Sequence, residues 1–218
     1  PLAEGCTLGG MAALGACGPE RLAHWAPRDR LLGLRFVSGE GRHIAAGGRV
    51  IKNVAGYEIT RLLVGSAGTL GLLTDLTFRV ASIPEVCRAV RASGTLDQCS
   101  AAAADILRSK LEPVFITSAI RNPQSAIWSV TVGFEGFDET VRAVAQGASD
   151  TFAKAGLADI QVLDYPLYRG VHADAFNALY GGQFVARLDV PLNEVAAAVR
   201  GIGGLFTEAA LLADFGCG

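Results

Sequence analysis

The 218 residues predict an α+β fold in two parts, and three observations carry that prediction. Half of the chain is hydrophobic against 18% charged, and mean hydropathy is +0.35, so a sizeable core can be filled and a disordered chain is excluded. More than half of the 27 glycines fall in residues 1–80, which suggests backbone that turns tightly or lies close to something else. Residues 81–200 read instead as ordinary helices and strands. Between the two, Ser82-Ile83-Pro84-Glu85 interrupts regular structure, because proline also restrains the residue before it. The predicted domains are 1–83 and 84–218.

In the first part, Leu31 to Val37 is a strand, and Ser38-Gly39-Glu40-Gly41 turns it back into a second strand at His43 to Ala46. Glu58 to Leu63 is compatible with a short helix that Gly65 stops. Leu70 to Val80 alternates from Leu72 onward, placing Leu72, Thr74, Leu76, Phe78 and Val80 on one face against a core. In the second part, Val86 to Ala92 is a strand and Leu96 to Arg108 an alanine-rich helix with Thr95 as its N-cap. Val114 to Ile120 and Ile127 to Phe134 are strands joined by the turn Arg121-Asn122-Pro123-Gln124. Asp138 to Ala155 is a long helix with Gly156 as a left-handed stop. Further strands are expected at Phe184 to Val190 and Leu205 to Leu211. Two helices over one antiparallel sheet is a ferredoxin-like α+β arrangement.

Charge and cysteine content exclude several functions. A net charge of −2 and a pI of about 5.9 give no electrostatic footprint for nucleic acid. No apolar run approaches the roughly 20 residues of a membrane-spanning helix. The five cysteines contain no CxxC pair and have no histidine cluster near them, so a zinc site is not expected and reduced thiols in a cytoplasmic setting are. Pro1 opens the chain without a methionine and Gly218 ends it abruptly, as expected of a piece of a longer protein.

Two glycine-bearing clusters could carry chemistry. The first is Thr7-Leu8-Gly9-Gly10 with Gly15, Ala16 and Gly18, whose bare backbone could lie against a pyrophosphate or a flat ring. The second runs from Gly47-Gly48-Arg49-Val50-Ile51-Lys52-Asn53-Val54-Ala55-Gly56-Tyr57 to Leu62-Leu63-Val64-Gly65-Ser66-Ala67-Gly68-Thr69-Leu70-Gly71-Leu72. Its spacing fits neither a Walker loop nor a dinucleotide-binding GxGxxG.

Lys52-Asn53-Val54-Ala55-Gly56-Tyr57, followed by Leu62 to Gly71, resembles the hallmark of the vanillyl-alcohol-oxidase-type (PCMH-type) FAD-binding domain. Thr7-Leu8-Gly9-Gly10 resembles that family's Thr-Ile-Gly-Gly element. The form KNVAGYE places the chain near the glycolate oxidase, D-lactate dehydrogenase and D-2-hydroxyglutarate dehydrogenase branch. The specific match covers about residues 1–80, and residues 85–218 resemble the family's cap domain in pattern. The resemblance implies that 1–83 is the second half of the FAD-binding domain and 84–218 a ferredoxin-like cap or substrate domain, incomplete at its C-terminus.

The same resemblance implies roles. Thr7, Leu8, Gly9 and Gly10 would lie along the pyrophosphate or ring side of the flavin, continued by Gly15, Ala16 and Gly18. Asn53, Gly56 and Tyr57 would pack near the cofactor, and Gly68, Thr69, Leu70, Gly71 and Leu72 would contact its adenosine side. No histidine occupies a flavin-linking position, so the FAD is expected to be noncovalent. Arg169 could clamp a substrate carboxylate, with His172 beside it. His24 and Trp25 could reach the substrate face, and Lys52 could neutralise phosphate. The implied protein is the FAD-binding subunit of a glycolate oxidase-like 2-hydroxy-acid oxidoreductase, acting with partner subunits and peripheral to the inner membrane through them. The rival is a noncatalytic assembly subunit with weak or no FAD, catalysis residing in a partner chain. A flavin needs no metal to accept a hydride.

Overall fold

The computed structural model describes residues 7–50, 57–120, 127–164, 190–205 and 211–215. They divide into two compact units, Pro1–Ile83 and Pro84–Gly218.

In the first unit the first described element is α1 (Leu8–Leu14), a helix where the sequence suggested only a glycine-rich turn. Local bonds explain it. The Thr7 side-chain oxygen accepts from the Gly10 amide at 3.0 Å, and Gly15 ends the helix in the left-handed conformation at φ 63°, its amide returning to Ala12. Two single-turn helices follow, α2 (Arg21–His24) and α3 (Pro27–Arg30), the latter started by a proline at its first position. The predicted hairpin is present: β1 (Leu31–Val37) pairs antiparallel with β2 (His43–Gly47). After α4 (Ile59–Leu63), β3 (Leu72–Phe78) pairs with the other side of β1, giving the order β2-β1-β3. Leu31, Leu34, Phe36 and Leu63 form the buried cluster, with Leu73, Leu76 and Phe78 packed against it.

The face predicted for β3 is half right. Leu76 and Phe78 pack inward, but Leu72 is 71% exposed and Val80 is 85% exposed. Val80 lies beyond the end of β3, and for Leu72 the register gives the reason: Arg35 pairs with Asp75 and Phe36 with Leu73, so Thr74 is an extra residue in the ladder. A bulge reverses the side-chain alternation beyond it. Leu73 takes the inward place assigned to Leu72.

The second unit is built as β4 (Val86–Gly94), α5 (Leu96–Arg108), β5 (Phe115–Ile120), β6 (Trp128–Gly136), α6 (Asp138–Lys154) and β7 (Ala158–Asp164). A 3₁₀ turn (Leu192–Glu194), α7 (Val195–Leu205) and β8 (Leu211–Asp214) follow. The sheet order is β7-β4-β6-β5-β8, with every pairing antiparallel. Its βαββαβ core with that order is the ferredoxin-like arrangement the pattern predicted.

Thr95 caps α5 as expected, within a full capping box: its hydroxyl accepts from the Gln98 amide and the Gln98 side chain accepts from the Thr95 amide. The Gln98 side chain also donates to the Gly156 carbonyl at 3.2 Å, tying the start of α5 to the end of α6. Gly156 adopts φ 74° just past α6, the predicted stop. A further strand was expected after α6, but it was not placed at Ala158–Asp164, where β7 lies. The expected strand at Leu205 to Leu211 divides, with Leu205 ending α7 and Leu211 opening β8; Phe184 to Asp189, from the other expected strand, lie outside the described residues.

One ion cluster fixes the edge of this sheet. Arg88 on β4 donates from Nε to Asp164 on β7 at 2.7 Å and meets Asp138, at the first turn of α6, at 2.8 Å. Arg142 reaches the other oxygen of Asp138 at 2.7 Å. Desolvation pushes the Asp138 carboxyl up, but hydrogen bonds from Arg88 and Arg142 outweigh it and hold the group below the usual carboxylate range. Cys99, on the buried face of α5, has its thiol pushed up to about 11 by desolvation, a hydrogen bond from Ser118 offsetting part of the rise.

Candidate functional site

The first unit brings two of the predicted segments together. The loop after α4 lies against the C-terminal end of α1: the Gly65 amide donates to Ala12 at 3.1 Å and the Ala67 amide to Ala13 at 2.8 Å. These two bonds satisfy carbonyls that a helix end leaves without intrahelical partners. A Cβ at Gly15 would make only ordinary van der Waals contact with the Gly65 backbone, and it is the left-handed backbone at φ 63° that favours glycine there. The C-terminal end of α1 and the turn at Gly65 to Ala67 are therefore held side by side.

The predicted cofactor residues differ in why they are what they are. Thr7 is committed to its cap. Gly15 serves the left-handed end of α1. Gly71 approaches Phe36 and Val37 so closely that a Cβ would meet both at 2.7 Å, and its glycine is explained by β1. Gly68 has φ 76° and nothing beyond it within 4 Å; Gly9 and Gly18 have neither a left-handed backbone nor a crowded Cβ. At Gly9 a Cβ would touch only the Thr7 hydroxyl at 3.9 Å, while a glycine inside a helix costs about 1 kcal/mol relative to alanine. Nothing among the described residues of the unit accounts for glycine at 9 or 18.

Around them stand apolar side chains in solvent. Leu8, Leu14, Leu70 and Leu72 are exposed, and Tyr57 almost completely so. Ala16 is exposed, and Thr69 donates its hydroxyl to Ser66 at 2.6 Å, closing the turn that presents Gly68. Asn53 and Gly56, together with Lys52, lie outside the described residues, as do Arg169 and His172.

His24 and Trp25 are placed by a neighbour. The Arg30 guanidinium donates from Nε to the His24 carbonyl at 2.7 Å, and its other arm stands 3.5 Å from His24 Nδ1. Trp25 is held at φ 62° and ψ 173°, a region nearly reserved for glycine. Sequence reasoning had no signal for that strain, since tryptophan is the last residue expected there.

Among the described residues no group of three or more His, Cys, Asp or Glu is arranged to hold a metal, and no helix is long and apolar enough to cross a membrane. For a flavin nucleotide the fit rests on open space: bare Cα surface at Gly9, Gly18 and Gly68 beside exposed leucines suits a flat, partly apolar ligand with a polar tail.

No family model matches the chain. Among curated proteins it is 38% identical over 144 residues to the glycolate oxidase subunit GlcE of Escherichia coli (strain K12), a match that covers 66% of this chain and 40% of that protein. It is 35% identical over 108 residues to the glycolate oxidase subunit GlcD of Bacillus subtilis (strain 168), covering 49% of this chain and 23% of that one. The D-lactate dehydrogenase of Archaeoglobus fulgidus is 45% identical over 80 residues, covering 37% of this chain and 18% of that protein. The chain thus spans under half the length of these curated relatives. In fold it is similar to solved structures of alkyldihydroxyacetonephosphate synthase, one at a TM-score of 0.63 and 19% identity, covering 77% of this chain and 37% of that one. The resemblance drawn from Lys52 to Gly71 holds: the chain is similar in sequence to glycolate oxidase subunits and to D-2-hydroxy-acid dehydrogenases.

Proposed function

We propose that this chain is part of the FAD-binding subunit of a glycolate oxidase-like oxidoreductase, and that residues 7–18 and 64–72 form its share of the flavin cradle. The observation that supports the reading is the pair of backbone hydrogen bonds that hold the end of α1 beside Gly65 and Ala67, with Gly9 and Gly18 nearby in sequence and lacking any internal reason to be glycine. Similarity to the two glycolate oxidase subunits, and to an uncharacterized FAD-linked oxidoreductase of Mycobacterium tuberculosis that is 34% identical over 108 residues, supports it.

When bound, FAD supplies the hydride acceptor for oxidation of a small 2-hydroxy acid such as glycolate. The chain's own residues position it. Gly9 and Gly18 let the backbone come within van der Waals distance of the ligand, and Gly68 turns the loop toward it. Leu8, Leu70 and Leu72 shield it from water, which strengthens every polar contact inside the shield. The FAD is held noncovalently, and further subunits complete the oxidase. The protein works on the cytoplasmic side, peripheral to the membrane through those subunits.

Gly9→Ala tests the placement. Alanine favours the helix and meets nothing within the unit, so the variant folds as well as the parent or better. On this reading its affinity for FAD falls at least tenfold, measured by quenching of flavin fluorescence. Equal affinity in parent and variant removes Gly9 from the cradle.

A further inference from the structure

One corner of the first unit, between α2 and α3, holds a conformation that its own packing does not explain. At φ 62° and ψ 173°, Trp25 occupies a backbone region that sterics all but close to residues with a side chain. Neighbours on both sides keep it there. The Trp25 amide donates to the Arg21 carbonyl at 2.9 Å, closing α2. The Arg30 guanidinium fixes the carbonyl just before it, that of His24, by a 2.7 Å bond from Nε. On the other side Ala26 is extended at φ −83° and ψ 161°, as proline requires of the residue before it, and Pro27 is buried.

This over-determined corner presents an indole to open space. Trp25 is 55% exposed, and its Nε1 donates to none of the described residues. A tryptophan that serves a core is buried, as Trp128 is at 5%. The corner also lies one short helix from the proposed cradle. The Arg21 amide donates to the Gly18 carbonyl at 3.1 Å, and α2 runs from Arg21 to the corner. At the ordinary helical rise, Arg21 and Trp25 are about 6 Å apart along the axis. A Cβ at Gly18 would meet nothing within 4 Å, so the backbone there is open to a ligand as well.

We propose that Trp25 is an aromatic platform, its indole stacking on a flat ring of the bound dinucleotide. The proposal rests on the function proposed above, and it gives the strained corner a purpose: the backbone holds the ring away from its own unit and toward a ligand. FAD carries two flat rings, isoalloxazine and adenine, and each offers the π-face that stacking needs. Arg30 is then a positioning residue, acting through the His24 carbonyl.

The test is calorimetric titration of the whole chain with FAD, riboflavin and ADP, for the parent, Trp25→Gly and Trp25→Phe. Glycine adopts the corner's backbone without strain and removes only the ring, and urea unfolding checks that each variant folds. The expected result is FAD affinity that falls at least tenfold in Trp25→Gly and recovers in Trp25→Phe. A parallel loss for riboflavin puts isoalloxazine on the indole; a parallel loss for ADP puts adenine there. In the riboflavin case, FAD bound to Trp25→Phe is also expected to fluoresce more strongly, because indole quenches a stacked flavin by electron transfer and phenyl does not. Equal affinity for all three ligands in parent and Trp25→Gly overturns the platform and leaves the flavin reading intact. A loss that Trp25→Phe does not recover, or that comes with unfolding of Trp25→Gly while Trp25→Phe binds as the parent does with unaltered emission, is a structural effect and also overturns it. No FAD binding by the parent overturns the flavin reading and the platform with it.

Discussion

The two units solve the problem of burying apolar surface to very different degrees. In residues 84–218 both helices bury a full stripe against the sheet: Cys99, Ala102, Ala103 and Ile106 from α5, and Val141, Ala148 and Phe152 from α6, are at most 1% exposed. In residues 7–83 the buried hydrophobics are Ala12, Leu31, Leu34, Phe36 and Leu63, while leucines on α1, on α4 and around the 64–72 loop stay in water. At roughly 25 cal/mol per Å² of apolar surface, such exposure is stabilisation left unrealised. The second unit has the more complete core; on the proposed reading, the first presents a surface for the flavin to lie on. Glycine use agrees in part. Gly94 and Gly133 sit where side chains would collide with Leu157 and Phe115, and Gly33, Gly47 and Gly71 of the first unit are as crowded, whereas Gly9 and Gly18 are not.

The largest effect tests the finished core. Gly133→Val drives a branched side chain into the Phe115 ring, and a loss of about 3 kcal/mol or more in urea unfolding is expected. A change under about 1 kcal/mol would show that the sheet face is looser than its packing implies. Phe152→Ala, in the middle of the α6 contact, is expected to cost about 3–5 kcal/mol.

The comparison sharpens when ligand is added. Without FAD, limited proteolysis is expected to cut the first unit well before the second, since its opening free energy is low. Excess FAD should protect the first unit and leave the second unchanged, by ordinary linkage. Protection of the second unit instead would reverse the assignment.

A smaller effect concerns acid. The Asp138 carboxyl is held below its ordinary range in the folded state, so the unfolded chain binds its proton more readily. Its contribution to stability is complete above the unfolded carboxylate range, about pH 4, and is lost as pH falls through the folded value. Asp138→Asn is therefore expected to flatten the acid limb of the stability curve below about pH 4 and leave the neutral limb parallel to that of the parent. An unaltered acid limb would show that the Arg88 cluster does not persist in solution.

How much could be read beforehand follows the same division. In the second unit the rules are local and the sequence states them: Thr95 three residues before Gln98, Gly156 after a helical run, alternation along β4 and β6. The position of β7 escaped because Ala158 to Asp164 carries acidic residues towards both ends, and its place in the sheet depends on pairing with β4. In the first unit the rules are tertiary. Leu72 was assigned inward by alternation, but the extra residue at Thr74 comes from pairing with β1. Gly9-Gly10 reads as a turn by propensity, yet the Thr7 cap and the Gly65 and Ala67 contacts hold it helical. Of the candidate site, the pairing of the two glycine clusters was legible as motif, whereas the internal purposes of Gly15 and Gly71 were not.

The most direct measurement is amide hydrogen exchange on the whole chain with and without saturating FAD. Slowed exchange at Gly65, Ala67 and the first turn of α1, with amides of α5 and α6 unchanged, is the predicted result. Identical exchange in the 7–18 and 64–72 segments at saturating FAD would contradict a flavin cradle there.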